Sequence, residues 1–323
     1  MFARYIRAAL IGTLFTVFLG GAAVITRLLP WLVSPAVPRA VSWIFAKSLA
    51  TATFEVALVI GCLVGFALCG SAEVASGEAR VRELFGVSPV KTAVRIAART
   101  TPLAALLFLS SFLAGRDASE PGTIVNHLIG EARASCAASA EPTMVEVPFA
   151  NASWLCRPGD APLFFMNVRG LPIAAREASV GSSLTNATLV EVQSLVGPAT
   201  VTASRVVVRG LRSWTLPSPL SPAARALGVT LGTFFASFVA LTLLFRQRSG
   251  SRGMALLVSL GAASSLFFTL RSLDRFGEAS ALVTPVGVVL LCVVPAATVA
   301  LLIASVRALS RRLLSLPRAA TVL

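Results

Sequence analysis

The chain has 323 residues, of which 56% are hydrophobic and only 13% charged, with a formal net charge of +14 and a mean hydropathy of +0.83. This profile excludes an ordinary soluble globular protein and points to a membrane protein. It also argues against nucleic acid as the partner. Arginines and acids balance across residues 116–222, so the positive excess sits among the apolar segments, where it sets topology and meets anionic lipid.

The first apolar stretch, 8–26, follows Arg4 and Arg7. Its basic start and the small residues at 20–23 would also suit a cleaved signal peptide, but the apolar run continues past them and predicts a retained span. Arg27 lies at its far end and Arg39 just beyond. The second stretch, 56–72, is preceded by Lys47 and Glu55, which are expected to pair with each other or with Arg27 or Arg271. The third, 100–115, is slightly short for a bilayer core of about 30 Å and is expected to continue a helix that begins earlier.

A polar insert, 116–222, follows. Residues 122–140 predict a helix with Ile124, Leu128, Ile129 and Ala132 on one face. Segments 143–149, 163–168, 187–192 and 199–208 read as short strands bounded by Pro158-Gly159, Gly170, Gly181, Gly197-Pro198 and Gly210. Such spacing predicts a small all-β sandwich or jelly roll. Cys136 and Cys156 are the two cysteines of this insert. A disulfide between them is the favoured expectation, with two free thiols as the alternative, and would be worth about 3 kcal/mol. Cys62, Cys69 and Cys292 fall in apolar stretches and read as packing residues. Catalysis is not expected. His127 is the lone histidine, without the clustered cysteines or carboxylates of a zinc site, and no nucleophile-elbow pattern occurs in the insert.

Three further stretches, 226–245, 253–270 and 280–306, complete a layout of three, insert and three. One side of the resulting bundle collects Arg4, Arg7, Arg80, Arg82, Lys91, Arg95, Arg99, Arg246, Arg248, Arg252, Arg307, Arg311, Arg312 and Arg318, against Arg27, Arg39, Lys47, Arg225, Arg271 and Arg275 on the other side outside the insert. The positive-inside rule therefore predicts cytoplasmic termini and an exported insert.

Between the second and third stretches lies the sharpest local signal. Glu78 and Arg82 stand four apart and are expected to pair along a helix, with Val81, Leu84 and Phe85 on another face. Gly86 suits the left-handed residue that closes a helix. Ser88-Pro89 then predicts an N-cap and an N1 proline opening a new helix. Along it Lys91, Arg95 and Arg99 recur every fourth residue and are expected to meet inner-leaflet headgroups. A short amphipathic helix on the cytoplasmic face, at about 73–86, would thus bend into a transmembrane helix.

The run from Gly77 to Pro89 resembles the coupling region of the LptF/LptG permease family. Glu78 falls on the family's acidic position, Gly86 on its glycine and Ser88 on its serine. Gly65, the opening Arg4-Tyr5-Ile6, and the segment from Arg252 onward with Pro285 and Pro295 are also similar to the family. At Thr51, where the family usually has proline, the sequence departs from it, and the insert is shorter than is typical.

The resemblance implies a six-helix, three-plus-three membrane protein carrying a small periplasmic jelly roll: residues 1–115, 116–222 and 223–323. It implies a half-permease in the bacterial inner membrane that pairs with a second half, whether a paralogue or a copy, and with a cytoplasmic ABC ATPase dimer. The assembly would extract lipopolysaccharide or a similar lipid and pass it to a periplasmic bridge protein. Glu78, Arg80, Arg82, Glu83, Leu84, Phe85 and Gly86 would dock the ATPase, and Arg27 and Arg39 would meet lipid phosphates. Arg27 serves equally as a snorkelling helix-end anchor. No cofactor is expected in the chain itself, which lacks a Gly-x-x-x-x-Gly-Lys phosphate loop; ATP would be bound by the partner. The alternative is a membrane-anchored scaffold that displays its β-domain without transport.

Overall fold

The computed structural model describes the chain apart from residues 1, 34–38, 119, 148–151, 158, 169–170, 182–185, 197–198, 210–219, 248–250, 276–282 and 316–323. Pro158, Gly170, Gly197-Pro198 and Gly210, expected to bound strands, lie outside the described residues. The chain divides into two compact units. One comprises Met1–Ala23, Thr51–Gly115 and Ser218–Leu323; the other comprises Val24–Ala50 and Arg116–Pro217.

The first unit is helical. It draws on α1 (Phe2–Val33), α2 (Arg39–Ala75), α3 (Glu78–Leu84), α4 (Pro89–Arg99), α5 (Thr101–Asp117), α7 (Pro222–Phe245), α8 (Arg252–Arg275) and α9 (Val283–Ser315). Among the described residues, Ala3–Thr26, Ser42–Ala75, Pro222–Phe245, Arg252–Leu273 and Thr284–Ala308 are the five helices long and apolar enough to cross a membrane. The apolar faces they leave exposed, such as Leu14, Phe15 and Phe18 of α1, suit a hydrocarbon surrounding.

The third apolar stretch does not form a straight span of its own. It reaches spanning length only together with α4, across a break bent by more than 40° between Arg99 and Thr101. Pro102 explains the bend, because it cannot donate the helical hydrogen bond to Ala98. The freed Ala98 carbonyl is met by a hydroxyl: Thr101 Oγ1 donates to Ala98 O at 2.7 Å. The result is six crossings only if this bent pair counts as one.

Small residues set how closely the helices approach. A Cβ on Gly65 would come within 2.5 Å of the backbone nitrogen of Ala9, so α2 crosses α1 at backbone contact. Gly232 of α7 plays the same part toward Leu291 of α9, whose carbonyl oxygen would lie 2.2 Å from an added Cβ. Tyr5, Phe66, Ile96, Leu103, Leu241 and Phe245 belong to one buried cluster, with Phe66 edge-on to both Tyr5 and Phe234.

The second unit is built on one seven-stranded antiparallel sheet, curled on itself, with α6 (Glu120–Ala137) against it. Its strands are β1 (Thr143–Val147), β2 (Ala152–Cys156), β3 (Leu163–Val168), β4 (Leu171–Ala175), β5 (Glu177–Val180), β6 (Asn186–Val196) and β7 (Ala199–Arg209). β1 to β4 form a meander; β4 and β5 follow one another along β6 in a common register, and β7 pairs with the other edge of β6. Along β6 the buried positions change phase between Leu189 and Val192. The change falls at Glu191, which has a left-handed φ of 51°.

The core of this unit sets Trp154 edge-on to Phe164, with Val125, Leu128, Ile129 and Ala132 of α6 buried. Phe45 and Leu49, from the first part of α2, join the same core. Cys136 of α6 and Cys156 of β2 are joined by a disulfide. Asn126 ties α6 to β5: its side-chain amide donates to Val180 O and accepts from Val180 N, both at 2.7 Å. The amide thereby mimics a neighbouring strand.

Candidate functional site

The candidate site is α3 and its flanks. Gly77 and Gly86 both take left-handed backbone angles, φ 79° and 76°, which only glycine adopts freely. They isolate seven residues as a separate helical turn. At its end the amide of Val87 bonds Arg82 O and that of Gly86 bonds Glu83 O, which is a Schellman closure. Ser88 then caps α4, its hydroxyl accepting from the Lys91 amide, with Pro89 in the first turn.

The side chains of α3 point in two directions. Leu84 and Phe85 are 87% and 82% exposed, and Val81 is half exposed. Arg80 and Glu83 stand beside them. Together with Phe245, Arg246 and Gln247, the residues Arg80, Glu83 and Leu84 line an open cleft of about 620 Å³. Arg82 instead turns inward. Its Nη2 donates to Glu73 on α2, and its guanidinium lies over the Phe245 ring, 5.7 Å from the centroid.

The expected pair of Glu78 and Arg82 side chains therefore does not form. Glu73 is buried and holds the guanidinium, leaving Glu78 to accept from Arg4 Nη1 at 3.3 Å. Val81, Leu84 and Phe85, expected on another face, are exposed, and α3 buries none of its residues. On α4, Lys91, Arg95 and Arg99 are exposed while Thr92, Ala93 and Ile96 are buried. This leaves a basic stripe on the open side. Arg27 falls on α1 and Arg39 opens α2, but their side chains lie outside the described residues.

Lys47 and Glu55 do not pair with each other. Eight residues of α-helix separate them by about 12 Å along the axis. Lys47 Nζ lies 3.4 Å from Asp117 Oδ2 and 3.3 Å from Glu120 Oε1. Glu55, fully buried, is held by Arg225 rather than by Arg271, and the side chain of Arg27 lies outside the described residues. Glu55 Oε2 accepts from Arg225 Nη2 at 2.7 Å and Glu55 Oε1 from Ser111 Oγ at 2.6 Å, while Arg225 Nη1 donates to Ser111 O at 2.9 Å. This triad joins α2, α5 and α7. Glu73 and Arg225 are the residues the sequence reading missed. Their signal was a charge set into an otherwise apolar helix.

In the sheet unit an open groove of about 500 Å³ is lined by Arg157, Asp160, Arg176, Glu191, Gln193 and Ser204, among others. Arg176 and Glu191 pair across it at 3.1 Å. His127 is exposed beside Glu131, and among the described residues no group of histidine, cysteine and carboxylate side chains is placed to hold a metal. No family model matches the chain, and no curated protein matches it.

Proposed function

We propose that the chain is the transmembrane half-permease of an ATP-driven transporter of the LptF/LptG kind. It would extract lipopolysaccharide or a similar amphipathic lipid from the bacterial inner membrane. In this reading the bent α4–α5 pair supplies a sixth crossing, both termini are cytoplasmic, and the sheet unit is a periplasmic jelly roll that hands cargo to a bridge protein. ATP is bound and hydrolysed by a cytoplasmic ABC ATPase dimer, and a second half-permease, paralogue or copy, completes the cavity. Arg27 and Arg39 would meet lipid phosphates, and Lys91, Arg95 and Arg99 the inner headgroups.

The observation that carries the reading is α3. A short helix set apart by two left-handed glycines offers Leu84 and Phe85 outward, beside Arg80 and Glu83. Exposed apolar side chains rimmed by charge are the signature of a protein-docking surface. The polar groove of the sheet unit favours a second reading, a membrane-anchored scaffold that displays this unit without transport.

A photo-cross-linking residue placed at Phe85 separates the two. In native membranes the half-permease reading expects an adduct with an ABC ATPase, and none with that protein from Arg205 on β7. The scaffold reading expects no ATPase adduct from either position.

A further inference from the structure

Because α3 buries none of its own residues, few contacts hold it to the helical unit. The pair Arg4–Glu78 is one, but both side chains are largely exposed, 69% and 46%, so solvent screens it and it holds little. Arg82 is the other. Its partner Glu73 is only 5% exposed, and the ring under its guanidinium, Phe245, is buried at the end of α7. The same core contains Tyr5 of α1 and Val74 of α2. Arg82 is thus where α3 meets both α2 and α7.

The chemistry of that contact makes it stiff. Glu73 Oε1 and Arg82 Nη1 are buried without a hydrogen-bond partner of their own, while Arg82 Nε donates to the backbone oxygen of Glu78, within α3 itself, at 3.2 Å. Separating them would leave the Glu73 carboxylate, 5% exposed, without its guanidinium, which costs more than losing the exposed pair beside it. A load applied to α3 is therefore passed to the end of α2 before the pair gives way.

We infer that Glu73 and Arg82 form a buried pin that carries displacement of α3 into α2 and α7. The inference rests on the half-permease reading and divides α3 into two faces. Leu84 and Phe85 dock the partner, whereas Arg82 is a positioning residue that transmits its motion without touching it.

The test uses the full-length chain in detergent and the complex purified with it, comparing wild type with Arg82→Gln, Glu73→Gln and Leu84→Asp. Three quantities are read: hydrogen exchange of amides 77–87, ATPase retained on the chain, and ATP-driven release of bound lipid. Arg82→Gln and Glu73→Gln are expected to speed exchange about tenfold or more, because the tether is lost. Both are expected to keep the ATPase bound and hydrolysing while lipid release falls by about tenfold. Arg82→Lys, which keeps the charge, recovers part of the release. Leu84→Asp loses the ATPase with exchange unchanged.

Unchanged exchange in both glutamine variants, or undiminished lipid release, overturns the pin. Loss of the ATPase from Arg82→Gln overturns it too, by making Arg82 a docking contact while the functional reading stands. A wild type that binds no ATPase overturns the functional reading and the transmission role together. The exchange data tell that failure apart from failure of the pin alone.

Discussion

Glu55 and Arg225 stand 170 positions apart in the sequence and meet at 2.7 Å, with side chains 0% and 2% exposed. One precedes the strands of the sheet in the chain and the other follows them, so the pair ties the two halves of the helical unit across the insertion. Ser111, bonded to both, supplies the third corner.

Removing one member of this pair strands the other charge in an apolar setting. Glu55→Leu and Arg225→Met are each expected to destabilise the protein by about 3–5 kcal/mol. The double substitution removes both charges and is expected to cost less than the sum of the two. Thermal unfolding in detergent, treated as a double-mutant cycle, gives the coupling directly.

Gly65 has no room for a side chain, because an added Cβ meets the Ala9 backbone. Gly65→Ala is expected to push α1 away from α2 and lower the melting temperature by several degrees, an overpacking cost of about 1–3 kcal/mol. Gly21, also helical, has nothing within 4 Å of its added Cβ. Gly21→Ala should therefore raise helix stability slightly. Melting curves of the two variants side by side check the contrast.

Asn126 satisfies both backbone groups of Val180. Asn126→Ala removes two hydrogen bonds at once, and a loss of about 1–3 kcal/mol is expected, at roughly 1 kcal/mol per bond plus the cost of an unmet buried group. The Val180 amide should exchange faster, while amides of β1 and β2 should not.

The bridge between Cys136 and Cys156 closes a loop with a sequence separation of 20. Cys136→Ser is expected to destabilise the sheet unit by about 3 kcal/mol through the larger freedom of its unfolded chain. Limited proteolysis should then cut within 116–217 sooner than in the wild type. Reducing agent added to the wild type should have the same effect.

The long helices were legible because their apolar runs need no partner to be recognised. The strands 163–168 and 199–208 were legible for a related reason, being rich in valine and phenylalanine. β2, β4 and β5 were not. They are short, one carries Pro172, and the last two are rich in alanine and serine, so pairing defines them: β2 with β1 and β3, β4 with β3 and β6, and β5 with β6. The place of residues 24–50 in the sheet unit also escaped the sequence, since Phe45 and Leu49 look like any other apolar helix positions.

At the candidate site the division between helix and turn was legible from Gly86, Ser88 and Pro89, because those residue types fix backbone angles locally. Which side chains point inward was not. The spacing of Glu78 and Arg82 suggested a surface pair, but a buried acid nearer the core, Glu73, takes the guanidinium instead. Tertiary burial decided between two carboxylates that local spacing could not rank. The same holds for Glu55, whose partner lies in the other half of the chain.

The most direct measurement is affinity purification of the full-length chain from its native membrane, with mass spectrometry of the proteins and lipids that accompany it, for wild type and for Leu84→Asp/Phe85→Asp. Both positions are highly exposed, so the change should move stability by no more than about 0.5 kcal/mol each and leave the fold intact. An ABC ATPase and a lipid A-type molecule are expected with the wild type, and loss of the ATPase from the variant. A wild type that brings down no ATPase, or a variant that holds it as firmly as the wild type, would contradict the half-permease reading.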